Sequence, residues 1–335
     1  MEEKIDFVIT WVDGNDPAWR KERDHYAELE HREVDNNNIR YRDWDTLRYW
    51  FRGVEKFAPW VNKVYFVTWG HLPEWLNTDH PKLQIVKHED YIPAECLPTF
   101  NSFVIEYYFH KIKGLSDQFV YFNDDMFLID AVRPDRFFRN GLPCDMGALV
   151  EHNRRGILGC SVFLAQGLIN NHFNKKDAVK KNLCKWFNFI YPYYSLRNLL
   201  YMKIRTSAFN GFEDHHVAQG YLKKTYDEVW KNCEKDLIRT SHNRFRQYGD
   251  VSIWLIRYWQ LASGSFYPYN TKKDGIYLPI EENRMEEIVD CIHHQKKKLI
   301  CLNDTEETSN YEESKMKILN AFEAILPDKC IFECQ

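Results

Sequence analysis

The sequence predicts the α/β class: a Rossmann-like, mostly parallel sheet flanked by helices, with a helical insertion over the active-site edge. Three observations predict it. Through residue 128, short β-branched and aromatic runs alternate with helical stretches, the pattern from which parallel sheets are built. From about 160 to 260 the alternation gives way to mostly helical, aromatic-rich sequence. A late apolar run, "KLICLND" (298–304), then reads as a strand returning to the sheet.

The elements follow in order. "KIDFVITWV" (4–12) is a strand closed by the turn pair Asp13-Gly14. "PAWRKERDHYAELEHR" (17–32) opens on proline and carries mixed charge, as helices do. In "RDWDTLRYWFRGVEKFAP" (42–59), Leu47, Trp50, Phe51 and Val54 recur at helical spacing. "KVYFVTWG" (63–70) and "LQIVKHED" (83–90) are strands two and three, and "SFVIEYYFHKIKGL" (102–115) is a helix closed by Gly114. "QFVYFNDDMFL" (118–128) is the fourth strand, and "YEESKMKILNAFEAILP" (311–327) is a closing amphipathic helix. This organises the chain as one catalytic domain over 1–335: an α/β part at 1–150, the insertion at 160–260 and the C-terminal return at 261–335.

Composition narrows the function. Hydrophobic residues make up 44 %, which is globular, and a formal net charge of −4 argues against a dedicated nucleic-acid binder. The basic runs "KKDAVKKN" and "QKKKL" read as solvated helix faces, with a membrane-surface role left open. No stretch of about 18 apolar residues exists to span a bilayer. The acidic start "MEEKIDFVITWVDG" is not a signal peptide. Nine scattered cysteines without a CxxC read as free thiols, so the expected compartment is the cytoplasm.

Against this background "FVYFNDDMFL" stands out. Asp124 and Asp125 adjoin each other in an apolar run, where like charges repel and desolvation is costly. In parallel sheets ligands bind outside the carboxyl ends of the strands. Asp13, after strand one, and the Asp pair can therefore share one rim. A carboxylate pair there suits Mg²⁺ or Mn²⁺, with a turn or helix cap as the structural alternative. Glu106 and His110 sit at i and i+4 on the preceding helix, an acid–base pair or a surface ion pair. "DHHVAQG" (214–220) offers His215 and His216, and "TSHNRFRQYGD" (240–250) offers Arg244 and Arg246 for phosphate.

These residues resemble the Stealth family of sugar-1-phosphate transferases in four blocks. They are "IDFVITWVDGNDPAW" (5–19); 42–77 continued by 97–128; 214–230 with 239–250; and "ICLND" (300–304). The resemblance implies a UDP-sugar donor bound by the 1–150 part, a glycan acceptor and a divalent metal, Mg²⁺ or Mn²⁺. It implies catalytic roles for His216, Glu106, Asp125 and Arg246, and metal ligation by Asp124 and Asp125. Asp13 and Gly14 fall at the nucleotide end, and Trp11, Arg48, Asn303 and Asp304 are expected substrate contacts. Ala218 stands where the family often has proline, so His215 competes with His216; the following "KKTYDEVW" favours His216. The expected activity is transfer of sugar-1-phosphate in bacterial capsular or exopolysaccharide synthesis, releasing UMP, at the inner face of the membrane or in the cytoplasm. The alternatives are a metal-dependent glycosyltransferase with a DxD-like site that releases UDP, and a non-catalytic glycan-binding protein.

Overall fold

A computed structural model describes residues 4–31, 42–152, 155–204, 206–305 and 310–334. β1 (Ile5–Thr10) leads to α1 (Pro17–Leu29), which starts where Asp16 accepts a hydrogen bond from the Trp19 N–H at 2.8 Å. α2 (Leu47–Phe57), β2 (Val64–Thr68), β3 (Leu83–Lys87), α3 (Ser102–Tyr107) and β4 (Gln118–Phe122) follow. Next come β5 (Met126–Leu128), β6 (Phe138–Arg139), β7 (Leu142–Asp145), α4 (Gly156–His172), α5 (Lys175–Lys181), α6 (Leu183–Trp186) and α7 (Pro192–Lys203). β8 (Gln219–Leu222), α8 (Lys223–Ser241), α9 (Trp254–Ser263), β9 (Tyr267–Pro268), β10 (Gly275–Ile280), α10 (Met285–His293), β11 (Leu299–Asp304) and α11 (Tyr311–Ile325) complete the chain.

The main sheet has the order β3-β2-β1-β4-β8. Its first four strands are parallel, with Phe7 opposite both Val64 and Val120, and β8 closes one edge antiparallel. Side chains alternate across it. Phe7, Ile9, Phe66 and Phe122 enter one core with α2, α10 and α11, while Val8, Tyr65, Val67 and Tyr121 enter a second with α3, α8 and α9. The expected parallel α/β sheet flanked by helices is therefore present.

Four boundaries differ from the sequence reading. α1 ends at Leu29, and Arg32 lies outside the described residues. α3 stops at Tyr107 and a 3₁₀ turn takes over at Phe109–Lys111, so Glu106 and His110 do not share a helix face. The apolar run 118–128 is two strands in two sheets, because three polar residues in its middle cannot be buried in a continuous ladder. The chain turns there, with the Met126 N–H bonded to the Asn123 carbonyl at 3.1 Å. Finally, β11 joins a second sheet, β10-β11-β5, rather than the main one, and the mostly helical region supplies β8 to the main sheet.

Candidate active site

β4 ends at Phe122, and the Asn123–Asp125 turn that follows emerges at the carboxyl end of the parallel strands. The Leu302 N–H holds the turn by donating to the Asp125 carbonyl at 2.8 Å, which ties the two sheets together. A cavity of about 580 Å³ opens beside it. Trp11, Glu106, Asp124, Asp125, His216, Arg246, Asn303 and Asp304 all line this cavity, although they come from elements as far apart as β1 and β11. A recess of about 190 Å³ adjoins it across Glu106, Tyr121, Asp124 and Arg246.

Asp13, Gly14 and Arg48 are not on the cavity wall. The Asp13 N–H donates to His71 Nε2 at 2.7 Å, and the Gly14 carbonyl accepts from Arg20 Nε, so this loop is spent on its own geometry. Arg48 lies over the Trp75 ring, 5.5 Å from its centroid. Asp304 is on the wall but engaged, accepting from Arg42 Nε and Trp44 Nε1 at 2.9 Å each. It closes the 42–46 segment over the end of β11.

The acids differ in setting. Glu106 is 6 % exposed, and burial pushes its carboxyl up to about 7 against the opposing pull of Arg246 and the Tyr121 hydroxyl, which lies 3.2 Å away. Burial also pushes Asp125 up to about 7, with the Asp124 charge adding to it. Asp124 is exposed on the cavity side; the surrounding protein drives its carboxyl upward, and its solvent access limits that push.

Arg246 bonds Ser102 Oγ and lies over the Phe103 ring at 4.7 Å. Ser102 also bonds Glu106, so one hydroxyl links acid and guanidinium. The loop that carries Arg246 is fixed by the fully buried Asp250, which accepts from Asn101 Nδ2 at 2.8 Å, Asn243 Nδ2 at 2.6 Å and the Gln247 N–H at 3.0 Å. Arg244 points elsewhere, 3.8 Å from Glu30 and stacked over Tyr26.

The two histidines both border the cavity but differ in setting. His215 is buried, with Nε2 2.8 Å from Gln219 Oε1 and Nδ1 facing Arg257, and burial beside that cation keeps its pKa far below the usual value. His216 lines the cavity, near Trp254 and Tyr277. Its φ of +38° is in the left-handed region, which side-chain-bearing residues rarely occupy. The segment is held there by Arg257, which pairs with Asp145 and Asp214 at 2.8–2.9 Å in full burial.

Asp125, His216 and Cys301 each place a ligand atom within 4.8 Å of the others. Asp125 Oδ1 is buried with no hydrogen-bond partner among the described residues, and the carboxyl's one side-chain partner among them is the Cys301 thiol. A buried carboxylate oxygen of Asp125 beside the Asp124 carboxylate fits a hard divalent cation such as Mg²⁺ or Mn²⁺. Burial, with the Asp125 charge adding to it, pushes the Cys301 thiol far above its usual range. Sequence reasoning missed Asp43 and Trp254 on the cavity wall, and the buried Cys301 behind Asp125. Only Asp43 had a signal, the acid-rich "RDWD" that opens the second block.

The model for Stealth conserved region 1 matches residues 3–28, and that for conserved region 2 matches residues 40–144. A capsular polysaccharide phosphotransferase, WcwK of Streptococcus pneumoniae, is 43 % identical over 99 % of this chain and 100 % of its own. The chain belongs to the Stealth family. Two further relatives are the receptor polysaccharide phosphotransferase WefC of Streptococcus gordonii, 39 % identical over 99 % of this chain and 100 % of its own, and the exopolysaccharide phosphotransferase cps2G of Lactiplantibacillus plantarum, 37 % identical over 98 % and 96 %. This Stealth chain is accordingly a transferase, with a role in polysaccharide phosphotransfer. The matched Stealth regions carry Trp11, Glu106, Asp124 and Asp125, whereas His216 and Arg246 lie further along the chain and reach the same cavity through the fold.

Proposed function

We propose that this protein transfers a hexose- or N-acetylhexosamine-1-phosphate from a UDP-sugar to a hydroxyl of a glycan acceptor. The acceptor oxygen forms a bond to the β-phosphorus, the bond from that phosphorus to the bridging oxygen breaks, and UMP leaves. The product is a phosphodiester in which the sugar keeps its phosphate. One observation carries the reading: Glu106, Asp124, Asp125, His216 and Arg246 converge on a single cavity at the carboxyl ends of parallel strands.

Phosphoryl transfer asks a protein mainly for positioning and charge neutralisation. Arg246, oriented by Ser102 and Phe103, meets the developing charge on the non-bridging oxygens. His216 takes the acceptor proton, and Asp125 beside it stabilises the imidazolium that forms. Glu106 keeps Arg246 in place and is the second group able to hold that proton. Asp124 and Asp125 would hold Mg²⁺ or Mn²⁺, which when bound neutralises charge on the diphosphate and on the departing phosphate. That also accounts for two adjacent acids at the end of a strand.

The leaving group tests this. Incubation with a UDP-sugar, acceptor glycan and Mn²⁺ should release UMP and yield a product with a phosphodiester signal in phosphorus NMR. Stoichiometric UDP with a phosphorus-free product would replace the proposal with glycosyl transfer.

A further inference from the structure

Helix α7 carries its polar residue inward and its apolar residues outward. Asn198 is fully buried, accepting from the Leu149 N–H at 2.8 Å and donating to the carbonyls of Gly147 and Trp186 at 2.7 Å. The solvent side shows Tyr193, Leu196 and Leu200 at 68 %, 64 % and 61 % exposure, continued by Ile204. These recur at three- and four-residue spacing, so they form one stripe. Phe189, just before the helix, is 100 % exposed. A surface helix ordinarily shows the reverse pattern, and a contiguous apolar stripe facing water marks an interaction site.

The charges say what covers it. No Asp or Glu occurs between Asp177 and Glu213, while Lys180, Lys181 and Lys203 are exposed there. The whole chain has a net charge of −4, so this is a basic band on an acidic protein. A second copy seated on the stripe would bring two basic bands together, which is repulsive. An anionic surface is attracted instead. No helix among the described residues is long and apolar enough to cross a membrane, so the helix would lie in the interface.

We infer that α7 and the Phe189–Ile190 turn rest on an anionic lipid bilayer, with the apolar stripe at the headgroup–acyl boundary and the lysines among lipid phosphates. Arg197, on the same helix, pairs with Glu213 at 2.5 Å, and Glu213 belongs to the segment that ends in His216. The docked helix is therefore one ion pair away from the segment that leads into the cavity wall at His215 and His216. Under the proposed activity, this suits a glycan acceptor carried on a membrane lipid. The lipid contact itself rests on the surface alone and is tested without turnover.

The test is sedimentation of the full chain with vesicles. The protein should pellet with phosphatidylcholine–phosphatidylglycerol vesicles, weakly with phosphatidylcholine alone, and less as salt is added. Leu196→Ser/Leu200→Ser should weaken binding about tenfold or more. It should melt as the parent does, because both side chains are exposed and no core is opened. Lys180→Glu/Lys203→Glu should lose the preference for anionic vesicles. Absence of parent binding, or equal binding by the serine variant, overturns the inference. So does a concentration-dependent dimer in vesicle-free buffer that the serine variant abolishes, since a second copy would then own the stripe.

Discussion

His215 and His216 are neighbours in the chain with opposite surroundings, and substitution separates them. His216→Ala should lower kcat by about 10² to 10⁴, the usual range for a lost general base. The Mn²⁺ concentration for half-maximal rate should stay unchanged, because one imidazole lone pair cannot serve both a proton and a cation. A tenfold rise in that concentration would make His216 a ligand instead. His215→Ala should chiefly lower thermal stability, since it removes a buried partner of Gln219. Asp125→Asn should lower kcat by about 10³ or more without lowering the melting temperature, as expected for a ligand or orienting carboxylate rather than a core contact. Parental turnover in that variant at saturating Mn²⁺ would remove Asp125 from the site. Glu106 gives a pH signature in stability. Its folded pKa of about 7 lies above the ordinary 4.5, so the native state holds its proton more tightly than the unfolded chain. That stabilisation is complete below about 4.5 and is lost as pH rises through about 7. Glu106→Gln should therefore match the parent's stability near pH 4 and exceed it near pH 8, by at most about 3 kcal/mol. Urea melts at the two pH values read this directly, and an equal gain at both would contradict a raised Glu106.

At the scale of elements, the site depends on where β5 sits, because the Asp turn hangs between β4 and β5. Helix α2 packs on β5 by way of Gly53, where an added Cβ would meet the Leu128 carbonyl oxygen at 2.8 Å. A backbone atom cannot step aside, so the clash outweighs the helix-propensity gain of about 1 kcal/mol from glycine to alanine. Gly53→Ala should thus destabilise by about 1–3 kcal/mol and reduce turnover, since β5 carries the Asp turn. Gly167, on α4, has nothing within 4 Å of such a Cβ. Gly167→Ala should be neutral or stabilise by up to about 1 kcal/mol with unchanged turnover. Thermal melts of the two variants check the contrast, and equal effects would sink it.

At the scale of the whole molecule, the fully buried Arg257 ties α9 to β7 through Asp145 and to the His216 segment through Asp214. Arg257→Met would strand two carboxylates away from water. Removing one partner of a buried ionic network costs about 3–5 kcal/mol, so the urea midpoint should fall sharply. Turnover should fall as well in whatever fraction stays folded, because the backbone at His216 loses the contact that holds it. A midpoint shift under about 1 kcal/mol would show that the network is not what fixes this segment.

Local chemistry in the sequence placed the strands and helices of the first 130 residues, but not the ends of α1 and α3. Apolar periodicity placed Leu47, Trp50, Phe51 and Val54 inward, and all four are buried. The cost of desolvating adjacent acids likewise marked Asp124 and Asp125 as the edge of a site at a strand's end, whereas the chain in fact breaks there into two strands. What followed the break was not legible. β4 and β5 read as one apolar run, because side-chain polarity does not say which sheet a strand joins. Long-range pairing decided that, setting β5 against β11 some 170 residues later. The same pairing brought Cys301 beside Asp125, a contact with no local signal. The choice of His216 over His215 is of the same kind. Both are histidines in one dipeptide that borders the cavity, and only the packing of Arg257, Gln219 and Asp145 buries and engages His215 while leaving His216 more open. Sequence fixes what each residue can do. Tertiary structure alone decides which of them share a cavity, since burial and charge pairing are sums over neighbours that the chain brings together only on folding.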